Sequence, residues 1–188
     1  MNIEEKAAQI VAAAEVVTVA SINENGYPRP VAMVKLKDKN GGIYFSTGTS
    51  TTKTAHFKAN SKAGISIVEG ENSVVYTGEM EIVTDQRIKE SLWDDWMLPH
   101  IPGGVNNPQY CVLKFTPKSS TYWIDNVFVK DGKYLNLFCQ SCGIPMQNAE
   151  QFGTNQDGST SQDYCCYCYK EGIFVQDCTM EGMTEHCT

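Results

Sequence analysis

The sequence predicts a mainly β protein: a small antiparallel barrel with a few short helices, followed by a small cysteine-rich module. Short segments rich in β-branched residues recur at close spacing, separated by turn-forming residues such as Asn25-Gly26. Seven of the eight cysteines lie between Cys139 and Cys187, where valine and isoleucine become scarce. We therefore place a boundary near residue 133, with a barrel domain over 1–133 and a cysteine-rich domain over 134–188.

The composition indicates an acidic protein. The chain has 188 residues and a formal net charge of -7. Because its lysines and arginines form no dense cluster, we expect no binding to a nucleic acid backbone. The N-terminus lacks the pattern of a signal peptide, and no segment approaches the ~20 apolar residues that a membrane-spanning helix needs. These features predict a cytoplasmic protein without membrane contact.

The N-terminal third of the chain is predicted to form a helix and a three-stranded meander. Apolar residues at helical spacing indicate a helix over Glu4–Ala14. Three β-branched or alternating segments indicate strands, and turns at 23–26 and 38–42 connect them. These strands are Val16–Ile22, Val31–Lys37 and Ile43–Ser46.

The rest of the barrel domain is predicted to combine two short helices with further strands. A polar loop over Thr47–Thr52 precedes a helix over Lys53–Ala59. Asp85 can cap a helix from Gln86 to about Asp95, because its carboxylate can accept from the free N–H groups of the first turn. The predicted strands are Gly64–Val68, Val74–Val83, Tyr110–Phe115 and Thr121–Ile124, with a Pro/Gly/Asn-rich loop over Leu98–Pro108 and a polar connection over Asn126–Lys133.

Two CxxC pairs predict a tetrahedral metal site in the C-terminal module. The pairs are Cys139 with Cys142 and Cys165 with Cys168. Each CxxC turn can direct two sulfurs at one point, and four thiolates suit Zn²⁺, which is borderline soft and has no d-electron preference for a geometry. A module this small buries little apolar surface, so bound zinc would supply part of its stability.

The other cysteines of the module leave one alternative open. Cys166 could replace Cys165 as a ligand through CxC spacing, but Cys165 repeats the spacing of the first pair and is preferred. Cys178 and Cys187 lack partner spacing and are expected to be ordinary thiols. The module resembles a zinc-ribbon family, which implies a structural or interaction role and names no reaction. The matching segments are CQSCGIPM (139–146), FGTNQDGS (152–159) and YCCYCYKEGIF (164–174).

Polar and basic residues around the predicted third strand could form an anion site. Arg29 offers a planar fork of donors, and Thr47, Ser50 and Thr51 offer hydroxyl groups. Lys53 stands at the start of a short helix, whose N–H groups attract phosphate. From spacing alone, the alternative is favoured: the two cations would be solvated surface charges beside an ordinary loop.

The same residues resemble the pyridoxamine 5'-phosphate oxidase-like superfamily, and within it the general stress protein branch. The resemblance spans roughly residues 5 to 127. It implies a split β-barrel, a homodimer and FMN bound at the dimer interface. The matching segments are GYPRPV (26–31), FST (45–47), STTK (50–53), VVYTG (74–78) and YWID (122–125).

The resemblance also implies roles for particular residues. Arg29 and Lys53 would hold the FMN phosphate. Trp123 is a candidate for a wall of the flavin pocket, and a buried tryptophan of the barrel core is the alternative. The other residues implied at the cofactor are Pro30, Val31, Ser46, Thr47 and Ser50. The chain departs from the oxidase itself at Thr52, where a second basic residue is frequent, and in lacking the oxidase's C-terminal substrate-binding segment. The resemblance therefore does not extend to pyridoxamine phosphate oxidase activity.

These observations lead to one function and one alternative. The sequence predicts an FMN-binding, oxidoreductase-like protein with a structural zinc ribbon. The alternative is a non-enzymatic protein that binds flavin or another small ligand and whose zinc ribbon binds a partner. Haem or a deazaflavin could replace FMN in such a family. Of the histidines, His56 is expected on the surface, and His100 lies in the Pro/Gly-rich loop without an assigned role.

Overall fold

A computed structural model describes residues 2–38, 41–135 and 137–175 of the chain. These residues divide into two compact units, one ending at Asn126 and the other beginning at Val127. None of the helices in the described residues has the length and apolar character that a membrane span requires. The boundary predicted near residue 133 lies inside the second unit, at the first residue of the strand Lys133–Leu135.

In its described residues, the first unit contains three α-helices and six strands. The helices are α1 (Ile3–Ala13), α2 (Thr52–Ala59) and α3 (Gln86–Ser91). The strands are β1 (Val16–Ile22), β2 (Pro28–Leu36), β3 (Ile43–Gly48), β4 (Lys62–Glu69), β5 (Asn72–Val83) and β6 (Tyr110–Ile124). Two short 3₁₀ turns, Asp95–Met97 and Gly104–Asn106, lie between α3 and β6.

The six strands close into an antiparallel barrel. Their order is β3-β2-β1-β4-β5-β6, and β6 pairs back with β3. Alternate residues of the strands, such as Val17, Val19 and Phe45, point inward and are buried in the main core, against which α1 packs Ala7 and Ile10. The predicted barrel architecture is confirmed.

The last barrel strand differs from its prediction. The sequence indicated two strands separated around Pro117, whereas β6 is continuous over Tyr110–Ile124. Its pairing with β5 shifts by one residue where Thr77 faces Ser119 and Gly78 faces Pro117, so Lys118 is an extra residue. Such a bulge accommodates a proline within a sheet. It also requires glycine at position 78, because a Cβ there would lie 2.2 Å from the carbonyl oxygen of Thr116.

A second, smaller core fixes the segment between α3 and β6. Asp85 caps α3 as predicted, but the helix ends at Ser91 and not near Asp95. Leu92 and Met97 are buried beneath the following segment. The ring of Trp93 meets that of Tyr110 edge-on, with centroids 5.2 Å apart. These contacts hold the segment against the outside of the barrel.

The second unit is built from short hairpins. Its strands are β7 (Val127–Lys130), β8 (Lys133–Leu135), β9 (Phe152–Thr154), β10 (Thr160–Cys165), β11 (Tyr169–Lys170) and β12 (Ile173–Phe174). The pairs β7–β8, β9–β10 and β11–β12 are antiparallel. The predicted polar connection is wrong for Val127–Lys130, because Val127 and Val129 alternate inward and are buried.

Candidate ligand cavity and metal centre

A cavity of about 580 Å³ opens on the barrel unit. This volume lies within the range of small-molecule sites. Three segments form its walls: the middle of β2, the end of β3 with the start of α2, and the segment between α3 and β6. The lining residues are Ala32, Met33, Val34, Ser46, Thr47, Gly48, Thr51, Lys53, Trp96, Met97, His100, Ile101, Pro102, Asn107 and Gln109.

A network of threonine hydroxyls fixes the start of α2 at this cavity. Thr51 is the N-cap residue of the helix, and its hydroxyl lies 3.2 Å from that of Thr47 and 2.9 Å from that of Thr54. The hydroxyls of Thr51 and Thr54 both donate to the carbonyl oxygen of Gly48, at 3.1 and 2.8 Å. The end of β3 and the first turn of α2 therefore form one hydrogen-bonded unit.

Lys53 provides the positive charge at this cavity. It is half-buried in the first turn of α2, and the ion pairs found among the described residues do not include it. A cation at a helix N-terminus is unfavourable for the helix dipole, and the first turn of α2 carries no acidic residue. Lys53 and the helix dipole would thus both attract an anion in this part of the cavity.

The residues of β2 that were predicted to bind the cofactor lie outside this cavity. Arg29 and Pro30 are exposed, Val31 is half-buried against the core, and none of the three lines the cavity. Arg29 is directly opposite Ser21 of β1, so the two side chains share a face of the sheet. On that face the hydroxyl of Ser21 contacts His56 of α2. Arg29 is therefore on the α2 side of the sheet.

Two other predicted cofactor residues are also outside the cavity. The hydroxyl of Ser50 donates to Oε1 of Gln109 at 3.2 Å, and Thr51 lines the cavity in its place. Trp123 lies opposite Ser73 near the end of β6 and does not line the cavity. Of the eight predicted cofactor residues, Ser46, Thr47 and Lys53 line this cavity.

Sequence reasoning missed the wall between α3 and β6. Trp96 and His100 lie at the cavity with ring centroids 6.4 Å apart, edge to face. Gln109 accepts hydrogen bonds from the hydroxyls of Thr49 and Ser50, which ties this wall to the loop before α2. Hydrophobic residues do not recur at a regular spacing in this segment, so the sequence offered no basis for placing it at a cavity. Its two tryptophans and its histidine were the only residues that could have indicated a functional role.

The prediction that His56 lies on the surface is wrong. Its ring is 7% exposed, with Nδ1 2.9 Å from the hydroxyl of Ser21 and Nε2 3.5 Å from the carboxylate of Glu24. The polar loop and short helix around it gave no sign that this side of α2 packs against β1. Because Ser21 is 1% exposed, its hydroxyl is not an accessible nucleophile. The contact among the three residues is therefore structural.

Four cysteine sulfurs converge in the second unit. The Sγ atoms of Cys139, Cys142, Cys165 and Cys168 all lie within 4.8 Å of one another. The Sγ atoms of Cys142 and Cys165 are 3.7 Å apart. A tetrahedral site with Zn–S bonds of about 2.3 Å requires sulfur–sulfur distances of about 3.8 Å. The four ligands predicted from the CxxC spacing are therefore brought together in a set that fits zinc.

The surroundings of these sulfurs also suit a metal thiolate. Cys139 and Cys165 are buried, and the backbone N–H of Cys165 donates to Sγ of Cys139 at 3.3 Å. Burial opposes ionisation of Cys139, but N–H groups of Cys165, Cys142 and Ser141 outweigh it and lower its pKa to about 6. Burial is the main cause that raises the pKa of Cys165 and Cys168. A divalent cation would compensate the cost of several thiolates in this space.

The alternative ligand does not belong to this cluster. Cys166 is half-buried, and its backbone N–H donates to the carbonyl of Gln151 at 2.9 Å. Its sulfur is not among the four that converge. Cys178 and Cys187 lie outside the described residues.

Comparison with known families identifies the barrel. The pyridoxamine 5'-phosphate oxidase family matches residues 3–124, which is most of the chain and nearly all of the first unit. The chain belongs to this family. The zinc ribbon domain family matches residues 138–188, which contain all four converging cysteines. The protein is thus an oxidase-family barrel joined to a zinc ribbon with a metal-binding cysteine cluster.

Solved structures that are similar to the barrel include general stress proteins of this oxidase family. A Clostridium acetobutylicum protein, described as related to general stress protein 26 of B. subtilis, is 30% identical, with a TM-score of 0.60; the match covers 67% of this chain and 91% of that one. General stress protein 26 of Bacillus anthracis is 20% identical, with a TM-score of 0.58 and coverages of 69% and 99%.

A heme binding protein from Mycobacterium smegmatis shares the fold at 13% identity, with a TM-score of 0.54. That match covers 65% of this chain and 54% of that protein. Among curated proteins, no relative matches the chain. In this member of the oxidase family, the cavity presents the half-buried cation of Lys53 and several hydroxyl groups, which suit a phosphate-type anion.

Proposed function

We propose that the barrel binds FMN and acts as an FMN-dependent oxidoreductase of the general stress protein branch. The observation that carries this proposal is Lys53, half-buried at the start of α2 beside the hydroxyls of Thr47 and Thr51 in a cavity of about 580 Å³. FMN would supply the redox chemistry, whereas the protein would bind it, orient it and limit access of water.

The phosphate of FMN would lie at the start of α2. Lys53 would give a charge-assisted hydrogen bond, the threonine hydroxyls would give neutral ones, and the helix N-terminus would add its dipole. Arg29 is part of this proposal because it lies on the sheet face that contacts α2. Its long side chain would turn toward the phosphate when the anion is bound.

We extend the proposal to a homodimer with a cofactor site at each interface. Val16 and Val34 lie directly opposite each other on the outer face of β1 and β2, and they are 59% and 41% exposed. Val34 and the 44% exposed Trp96 both line the cavity. A two-fold partner covering this apolar surface would complete the cavity. Trp123 of the partner subunit would then form the second wall of the flavin pocket.

The zinc ribbon is proposed to hold one structural zinc ion. Four sulfurs complete the tetrahedron, so no position remains for a catalytic water. Thiolate metal sites and unpaired cysteines persist in reducing compartments, and none of the described cysteines forms a disulfide. A cytoplasmic location is therefore part of the proposal.

An absorption spectrum and a flavin titration test the proposed function. Protein purified without added cofactor is expected to show flavin bands near those of free FMN, and apoprotein to bind FMN more tightly than riboflavin. Reduction of the bound flavin by NAD(P)H would distinguish an enzyme from a flavin-binding protein. Absence of flavin binding by the apoprotein would refute the proposal.

A specific observation supports the alternative of a binding protein. Several apolar side chains of the ribbon unit are exposed, including Tyr167 at 69% and Ile173 at 71%. Tyr167 lies within the second CxxC turn, beside the metal cluster. Such a surface suits a protein partner.

In addition, His100 at the cavity could ligate haem, so a Soret band in place of flavin bands would favour the haem alternative.

A further inference from the structure

The four sulfurs of the metal centre differ in their access to solvent. Three of the four cysteines belong to the hydrophobic core of the ribbon unit, which also contains apolar side chains such as Met146. Cys139 and Cys165 are 2% and 0% exposed, and Cys168 packs against them. Cys142 is not part of this core and is exposed. A molecule in solution therefore meets the cluster at Cys142.

The backbone beside Cys142 leaves its sulfur open to approach. The next residue, Gly143, has a φ of +72°, and a Cβ added there would meet no atom within 4 Å beyond its chain neighbours. The buried sulfur of Cys139 is protected further, because it accepts the backbone N–H of Cys165 at 3.3 Å. Such hydrogen bonds draw electron density from a thiolate and reduce its reactivity.

A second sulfur lies in contact with the exposed one. Sγ of Cys165 is 3.7 Å from Sγ of Cys142. Sulfurs that bind a divalent cation are thiolates, and accessible thiolates are the form of cysteine that peroxides oxidise. Because Cys165 is buried, a peroxide does not reach it from solution. An oxidised Cys142 would nevertheless be directly beside it.

We propose that Cys142 is the site at which hydrogen peroxide oxidises the ribbon, with Cys165 as its disulfide partner. The Cys142 thiolate attacks one peroxide oxygen, the O–O bond breaks, the sulfur gains an OH group and hydroxide leaves. The Cys165 thiolate then attacks the Cys142 sulfur, so an S–S bond forms, the S–O bond breaks and a second hydroxide leaves. The two thiolates lose two electrons in total, and the peroxide gains them.

Oxidation of this pair would remove two of the four metal ligands. This consequence rests on the structural zinc proposed above. Cys139 and Cys168 alone do not complete a tetrahedral site, so zinc would be released. Because bound metal supplies part of the stability of such a small module, the ribbon would unfold on losing it. The exposed sulfur would thus make the ribbon responsive to peroxide.

Treatment of the full-length zinc protein with hydrogen peroxide, in the presence of a zinc-binding dye, tests the proposal. We expect release of about one zinc per chain. Peptide mapping by mass spectrometry should find a disulfide between Cys142 and Cys165. A reagent that traps sulfenic acids, added early in the reaction, should label Cys142 first. Earlier labelling of another cysteine, or a disulfide from Cys142 to a different partner, would overturn the proposal.

Two ligand exchanges provide a matched pair of variants. Histidine can replace cysteine as a zinc ligand, so Cys142→His and Cys168→His each retain four ligands. Cys142→His lacks the exposed thiolate and should release zinc about tenfold or more slowly than Cys168→His in peroxide. Cys166→Ser removes a sulfur outside the cluster and should release zinc at the wild-type rate. Equal rates in the two histidine variants would contradict the assignment.

The outcomes also distinguish this proposal from that of the structural zinc. Protein that contains no zinc as purified would overturn both. Protein that contains zinc, but keeps it at peroxide concentrations that oxidise free cysteine, would overturn the peroxide site alone. If either histidine variant fails to hold zinc, the order of sulfenic acid labelling in the wild-type protein decides between Cys142 and the other sulfurs.

Discussion

The hydroxyl of Ser21 lies 2.9 Å from Nδ1 of His56, and both side chains are buried. This contact joins β1 to α2, the helix that begins at the cavity. We expect Ser21→Ala to lower the free energy of unfolding by about 1–3 kcal/mol, because a buried ring nitrogen loses its partner. Urea unfolding measures the change. The exposed Ser61→Ala is the control and should stay within about 0.5 kcal/mol of wild type. Equal losses in both variants would contradict this account.

Replacing single cysteines should separate the metal ligands from their neighbour. Cys165→Ser removes a sulfur of the converging set and should abolish stoichiometric zinc, whereas Cys166→Ser should retain about one zinc per chain. Metal analysis of protein prepared without chelator measures both. Zinc retained in Cys165→Ser and lost in Cys166→Ser would reverse the ligand assignment.

Removing Lys53 should weaken FMN binding specifically. Lys53→Ala eliminates the half-buried cation at α2 and is expected to raise the Kd for FMN about tenfold or more, since a charge-assisted bond contributes roughly 1.5–3 kcal/mol. Riboflavin has no phosphate, and its weaker binding should hardly change. Fluorescence titration with both ligands makes the comparison. Lys58→Ala, an exposed lysine later in the same helix, is the control.

Arg29→Ala tests the second proposed phosphate contact. If the side chain turns toward α2, FMN affinity falls about tenfold and riboflavin affinity stays the same. Unchanged FMN affinity in Arg29→Ala with a clear loss in Lys53→Ala would leave Lys53 as the phosphate ligand and remove Arg29 from the site. Unchanged FMN affinity in both variants would remove the proposed site altogether.

A charge on the outer face of β2 should disrupt the proposed dimer. Val34→Asp places a carboxylate beside Val16 on the exposed apolar surface, and burying it without a partner is costly. Light scattering at micromolar concentration is expected to report a dimer for wild type and a monomer for this variant. Val68→Asp alters another exposed valine, on β4, and should remain dimeric. A monomeric wild type would refute the assembly.

The barrel strands were predictable because hydrophobic alternation and turn residues are local signals. β1 begins and ends at the predicted residues, Val16 and Ile22. The prediction failed at Pro117, since a bulge depends on the partner strand and cannot be read from one segment. It also failed at His56, where burial depends on how α2 packs against β1.

The two candidate sites differ in how much their sequence revealed. The cysteine cluster was indicated except for the choice between Cys165 and Cys166, because CxxC spacing fixes local geometry and only the meeting of two turns depends on the fold. The cavity was indicated only in part. Ser46, Thr47 and Lys53 belong to neighbouring segments, whereas Trp96 and His100 reach it through a segment held by the buried Met97. The packing of Met97 joins residues that are distant in sequence, and no hydrophobic period in the sequence predicts it.

Closure of the barrel through β6 sets an order of events during synthesis. β3 pairs with β2 on one side and with Tyr110–Phe115 on the other, so one edge of residues 43–48 stays unpaired until a strand made much later emerges. Pairings between such distant segments slow folding, because the chain loses entropy before the contacts form. On the ribosome, β1 to β5 would therefore expose unpaired edges until β6 emerges. Slowing translation just before Tyr110 should prolong this open state and increase dependence on chaperones.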